Sequence, residues 1–226
     1  MNTSQEYAII VAGGSGTRMQ SALPKQFLLL NGMPVLMHTL TAFYNYSKEL
    51  SIILVLPDKE KNQWAALCEK HSFVVPHQVV SGGASRFQSV KNGLQSIPQS
   101  SGLVAIHDGV RPVISKEIIA NSFTTAAAKG TAITSVALKD SIRQVEGPKN
   151  KSVNRSAFRI IQTPQTFQLN IIKKAFETEE KDFFTDDASV AEAAGFEIVL
   201  IEGDYKNIKI TTPEDLIVAE AFISKK

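Results

Sequence analysis

The sequence predicts an α/β fold in which helices cover both faces of a mostly parallel sheet. Three observations point there. Apolar runs of strand length alternate with amphipathic stretches along the chain. The first run, Tyr7-Ala8-Ile9-Ile10-Val11, passes straight into a segment holding Gly13, Gly14 and Gly16. The exits of later runs carry glycine, a cation or an acid, at the end of the sheet where open α/β folds bind ligands.

Taken in order, strands are expected at residues 7–12, 51–56, 74–80, 103–107, 131–138 and 197–202. Helices are expected at 34–48, 59–71, 86–96, 115–129, 169–179, 187–194 and 213–224. Pro76 makes the third strand short or places it at a sheet edge. Thr185 reads as the N-cap of the sixth helix, with acids in its first turn. The last helix has Thr212 as N-cap, Pro213 at its first position and Asp215 closing a capping box. Residues 139–162 break the alternation. They are polar, with Gly147-Pro148-Lys149-Asn150 in the middle and two short strand-like flanks, 141–145 and 152–155. A β-hairpin arm projecting from the domain is expected there. It reads equally as an inert surface loop or as a dimerisation arm.

Bulk composition narrows the function classes. With 226 residues, 43% of them apolar, the chain can build one sizeable domain spanning 1–226. Its 24 basic and 22 acidic residues leave a net charge of +2, which gives no support for nucleic-acid binding. Cys68 is the single cysteine and lies on an apparent helix face, so neither a disulfide nor a metal cluster is expected from it. His38, His71, His77 and His107 lack zinc-ligand spacing. No apolar run approaches the roughly 18 residues of a membrane span, and the polar start lacks signal-peptide regions, so a soluble, cytoplasmic protein is expected.

The glycine segment, Ala12-Gly13-Gly14-Ser15-Gly16-Thr17-Arg18-Met19, is followed by Pro24-Lys25-Gln26-Phe27. Glycines let a backbone turn tightly and bring its N–H groups against a ligand. Arg18 and Lys25 suit a phosphate chain. A P-loop would need a Gly-Lys pair after four residues, and none follows Gly13. A dinucleotide fingerprint would need glycine where Met19 stands. A P-loop kinase and a standard dehydrogenase are therefore both disfavoured. The other strand exits supply Asp108-Gly109-Val110-Arg111-Pro112, the segment Ser81-Gly82-Gly83-Ala84-Ser85-Arg86 with Ser89, and Gly203 followed by Asn207-Ile208-Lys209. Singly, each has an ordinary reading: Asp108 caps a turn, Arg111 pairs with it, Lys209 sits on an exposed strand, and Arg155 is a solvated charge. Together they raise the expectation of a phosphate-rich site.

These motifs resemble, in order and over nearly the whole chain, the cytidylyltransferases of isoprenoid precursor synthesis, the family acting on 2-C-methyl-D-erythritol 4-phosphate. Beyond the two segments above, the matching pieces are Gly82-Gly83 through Arg86, Ser89-Val90, Gly93-Leu94, His107-Asp108 with Arg111-Pro112, Lys139-Asp140-Ser141, Arg155, Gln162-Thr163-Pro164-Gln165, Thr185-Asp186-Asp187-Ala188 and Asn207-Ile208-Lys209. The resemblance implies a Rossmann-like nucleotidyltransferase three-layer sandwich whose β-arm builds a homodimer. It implies transfer from CTP to a polyol phosphate, with release of pyrophosphate and with Mg2+ as the metal. By the same resemblance, Arg18 and Lys25 stabilise the transition state, while Lys209 and Arg155 of the second subunit position the substrate phosphate. Ala12, Gly13, Gly14, Gly16, Gly82, Ser89 and Asp108 hold the nucleotide. Asp108, Arg111, Ser141, Thr163 and Thr185 line the polyol pocket. The chain departs from the family pattern at Ser141, where threonine is usual, at Asn154, where aspartate is common, and in Asp108-Gly109-Val110-Arg111-Pro112. Val110 there is closer to the ribitol-5-phosphate cytidylyltransferases, the alternative reading.

Overall fold

The computed structural model describes residues 5–13 and 23–223. Seven strands form one sheet: β1 (Glu6–Val11), β4 (Ser51–Leu56), β5 (Gln78–Ser81), β6 (Leu103–Asp108), β7 (Thr131–Ala137), β10 (Arg159–Gln168) and β11 (Leu200–Glu202), in the order β11-β7-β10-β6-β1-β4-β5. All neighbours run parallel except β10, which is antiparallel to both β6 and β7. Two small hairpins stand apart, β2 (Leu29–Leu30) with β3 (Met33–Pro34), and β8 (Arg143–Glu146) with β9 (Lys149–Ser152).

Side-chain alternation along β1 shows why there are three layers, because successive residues point to opposite faces. Ala8 and Ile10 join one core with α1 (Val35–Tyr46), α2 (Asp58–Lys70) and α4 (Lys116–Lys129), through Leu36, Phe43, Trp64 and Phe123. Tyr7 and Ile9 join the other with α3 (Arg86–Gln95), α5 (Leu169–Ala175) and α6 (Asp187–Ala193), through Val90, Leu94, Ile172 and Val190. A third, smaller cluster seats α7 (Pro213–Ile223) on Leu30, Val35, Val110 and Ile210.

The expected elements are present with shifted ends, and three strands are additional to them. Strand 74–80 is observed as β5, Gln78–Ser81, beginning after Pro76 and forming the sheet edge beside β4. Strand 197–202 is shorter, because the Thr131 hydroxyl bonds the Glu197 carbonyl (2.9 Å) and the Val199 N–H (3.0 Å) where ladder bonds would otherwise run. Helix 169–179 ends at Ala175. The N-cap of α6 is Asp186, not Thr185: its carboxylate takes the Ser189 N–H while the Ser189 hydroxyl accepts from the Asp186 N–H, a reciprocal box. For α7, Asp215 does accept the Thr212 N–H (2.9 Å). The arm hairpin is tighter than expected, turning on Gly147-Pro148 alone, with φ of Gly147 at +56°. Asn154 caps a short 3-10 turn, Arg155–Ala157, instead of ending a strand. The additional strands are the short β2–β3 hairpin and the long β10.

Candidate active site

The strand exits meet at one crevice. Chain order runs from β1 outward to β4 and β5, then returns to β6 on the other side of β1, so the crevice lies at a topological switch point. Backbone bonds fix the exits there: Ala12 N–H to the Val55 carbonyl (3.0 Å), Gly109 N–H to Val11 (2.8 Å) and Gly82 N–H to Leu56 (2.7 Å). Between them is a cavity of about 290 Å3 lined by six of the expected residues: Ala12, Gly13, Lys25, Ser89, Asp108 and Lys209. Lys25 is buried, in a 3-10 turn spanning Lys25–Phe27.

Asp108 is the electrostatic centre. Its carboxylate lies 3.0 Å from Lys209 Nζ, 3.3 Å from Arg111 Nε and 3.7 Å from Arg86 Nε. Burial alone would raise its pKa, but Lys209, Arg86 and Arg111 together hold it well below the usual carboxylate range. Arg86 is itself gripped by Asp187 in a forked pair, Nη1–Oδ1 2.8 Å and Nη2–Oδ2 2.6 Å. Burial works against charge on Arg86, yet Asp187 and Asp108 hold its pKa above the ordinary value. The cluster therefore sets four cations, Lys25, Arg86, Arg111 and Lys209, against three carboxylates, Asp108, Asp187 and the neighbouring Asp186. That excess of positive charge is complementary to a polyanion.

Beneath Asp108 runs a polar chain. The Asp108 N–H donates to Thr163 Oγ1 (3.0 Å), which lies 3.0 Å from His107 Nδ1. His107 Nε2 is 3.2 Å from the Arg111 carbonyl, which can only accept, so Nε2 carries the proton and Nδ1 accepts from Thr163. Burial pulls the His107 pKa down to about 4, against the opposing pull of the Arg111 carbonyl and Asp108. Arg111 Nη1 also donates to the Asn207 carbonyl (2.8 Å), and the Asn207 amide donates to the Thr163 carbonyl (2.8 Å). Thr163 and Arg111 thus sit behind the cavity wall, engaged with Asp108.

On the opposite wall the Ser89 hydroxyl donates to the Ser85 carbonyl (2.8 Å) and accepts the Gly83 N–H (3.0 Å). This draws the glycine turn onto α3. A Cβ on Gly83 would stand 2.1 Å from Gln88 Cγ, so the turn requires glycine there. Gly82 lies one residue behind.

Three expected residues are elsewhere. Ser141 and Arg155 are exposed at the base of the arm, where Arg155 Nη1 donates to the Lys139 carbonyl. Thr185 is exposed beside a separate cleft that also contains Arg86 and Asp187. Gly14, Gly16 and Arg18 lie outside the described residues. Sequence reasoning missed the roles of Arg86, Asp187, Gln26 and Asn207. Arg86 was visible as a cation at a strand exit, but its pairing with an acid 101 positions away has no local signal.

Among the described residues no three His, Cys, Asp or Glu side chains group to hold a metal. Asp108 is, among the described residues, the sole carboxylate lining the cavity, and cations already engage it. This donor set suits a Mg2+ ion carried mainly by phosphate oxygens and water, not an all-protein cage.

The family model described as IspD, 2-C-methyl-D-erythritol 4-phosphate cytidylyltransferase, matches residues 7–225. A protein of that name from Azobacteroides pseudotrichonymphae is 47% identical over 220 residues, covering 97% of this chain and 99% of its own length. One from Bacteroides fragilis is 47% identical over 216 residues, covering 96% and 98%. The crystal structure of 4-diphosphocytidyl-2C-methyl-D-erythritol synthase from Anaerococcus prevotii superposes with a TM-score of 0.83 at 31% identity, covering 98% of this chain and 96% of that one.

Proposed function

This chain belongs to the 2-C-methyl-D-erythritol 4-phosphate cytidylyltransferase family, and from that premise we propose how its residues perform the reaction. The enzyme transfers CMP from CTP to 2-C-methyl-D-erythritol 4-phosphate, giving 4-diphosphocytidyl-2-C-methyl-D-erythritol and pyrophosphate. The observation that carries the residue assignment is the cationic cluster about Asp108 at the sheet's switch point.

The substrate phosphate oxygen attacks the α-phosphorus of CTP in line with the departing pyrophosphate. A phosphate monoester is already an anion, so no general base is needed. The work is to bring two polyanions together and to stabilise charge on the phosphoryl oxygens. Lys25, with Arg18, serves that stabilisation. Ala12, Gly13, Gly14, Gly16, Gly82 and Ser89 shape the nucleotide's seat. Lys209, fixed by Asp108, receives the polyol phosphate, while Arg111 and Thr163 keep Asp108 in register from behind the cavity wall. Mg2+, when bound with the triphosphate, would neutralise part of its charge, with Asp108 the carboxylate within reach.

We place Arg155, Ser141 and Thr185 at the mouth of the site, with Arg155 supplied by the arm of a second subunit. The arm's composition supports this homodimer: β8 and β9 are exposed throughout, and Val145, Phe158, Ile160 and Ile161 are bared to solvent between 39% and 70%. We place the enzyme in the cytoplasm; no helix among the described residues is long and apolar enough to cross a membrane. The test is pyrophosphate release with CTP against methylerythritol phosphate and ribitol 5-phosphate in parallel. Faster release with methylerythritol phosphate is expected; equal or greater release with ribitol phosphate would overturn the substrate assignment.

A further inference from the structure

Gln26 forms a tether that no role above uses. It is fully buried, and its amide nitrogen lies 2.9 Å from the Ala12 carbonyl oxygen and 2.6 Å from Glu60 Oε2. Both partners only accept, so the nitrogen must face them and the amide has a single orientation. Its Oε1 is left buried with no partner among the described residues. That burial is unfavourable, so the orientation rests on the two bonds made by the nitrogen.

The positions of the three residues give the tether its meaning. Ala12 is the exit residue of β1 and lines the cavity. Gln26 directly follows Lys25. The hydrogen bond from Gln26 to Ala12 holds the strand exit and the lysine's turn in one frame. Glu60, 7% exposed in the first turn of α2, anchors the frame to the helix layer, with its own N–H bonded to the Pro57 carbonyl (2.9 Å).

We propose that Glu60 is a positioning residue for cytidylyl transfer: by holding the Gln26 amide nitrogen toward the Ala12 carbonyl, it fixes Lys25 relative to the β1 exit. Loss of the anchor lets the Lys25 turn drift against the nucleotide's seat, and a displacement of about 1 Å can cost on the order of 10²-fold in rate. The inference rests on the reading of this cavity as the triphosphate site.

The test compares Glu60→Ala, Glu60→Gln, Gln26→Glu and the double variant Gln26→Glu/Glu60→Gln in CTP-dependent pyrophosphate release with methylerythritol phosphate, alongside CTP affinity and Tm. Glu60→Ala is expected to lower kcat at least about tenfold with CTP affinity changed roughly twofold or less. Glu60→Gln still offers an oxygen to the Gln26 amide and should stay within about threefold of the parent. The double variant restores a donor–acceptor pair between positions 26 and 60, with donor and acceptor exchanged, but has no donor for the Ala12 carbonyl. Its Tm should recover relative to Gln26→Glu alone, while kcat stays at least about tenfold down. Parental kcat in Glu60→Ala, or recovery of kcat together with Tm in the double variant, overturns the proposal. A parent chain that releases no pyrophosphate from CTP overturns the functional reading instead, whatever the variants do.

Discussion

The Lys209 ammonium stands 3.0 Å from the Asp108 carboxylate, joining a residue of the C-terminal segment to the end of a central strand. Asp108 thereby serves as counter-ion to Lys209, Arg111 and Arg86 at once. Asp108→Asn should leave three mutually repelling cations, Arg111 mostly buried but Lys209 and Arg86 partly screened by solvent, at a cost of roughly 1–3 kcal/mol. Thermal unfolding should show a lowered Tm, and inorganic pyrophosphate should raise the variant's Tm more than the parent's. An unchanged Tm would show that the cations do not depend on this carboxylate.

Lys25→Ala should reduce kcat about 10²-fold or more, the scale for loss of one preorganised donor in a site that works by charge stabilisation. Steady-state pyrophosphate release checks this. Near-parental turnover would remove Lys25 from the chemistry.

Arg155→Ala should raise KM for the polyol phosphate and leave CTP affinity nearly unchanged, since Arg155 is exposed on the arm, away from the cavity beside β1. If the arm completes the neighbouring subunit's site, mixing Lys25→Ala and Arg155→Ala chains should restore activity. Random pairing leaves one site in a heterodimer intact, so about a quarter of parental activity is expected. Absence of complementation would place Arg155 in its own subunit's site or outside the chemistry.

Acid should weaken the fold through His107. Its folded pKa is about 4, below the roughly 6.5 of an unfolded histidine. Between those values the unfolded chain takes up a proton that the folded chain does not. The stabilisation is therefore fully present above pH 6.5 and is lost as pH falls toward 4, by roughly 2–3 kcal/mol at pH 4.5. Denaturant unfolding at pH 7 and pH 4.5 reads it, and His107→Gln should flatten the difference. Asp108, whose pKa is depressed, loses its contribution only at still lower pH.

Most of the parallel sheet was legible because its strands are short apolar runs bounded by glycine, proline and charge. β10 was not. Its sequence, Arg159 to Gln168, is rich in glutamine and threonine and has Pro164 at its middle, which argues against a central strand. The chain accommodates it by shifting register between Ile161 and Gln165, an irregularity that spares Pro164 a ladder bond. The polar residues of β10 are consumed inside: Thr163 with Asp108 and His107, Gln165 with Asp186 (2.8 Å) and the Ala188 N–H (2.9 Å). At the site, the charges at strand exits were readable as a set. Their partners were not, because the Arg86–Asp187 and Gln26–Glu60 pairs join residues that only the folded sheet brings together.

The reversed direction of β10 decides where the arm emerges. Arg159 pairs with Ala137, so the strand begins level with the end of β7, at the pole where the parallel strands stop. A strand running with its neighbours would have needed a crossover to the far pole, and whatever preceded it would have hung beneath the molecule, out of reach of the crevice. One strand turned against the grain therefore gives the chain an outrigger mounted on the same deck as its chemistry.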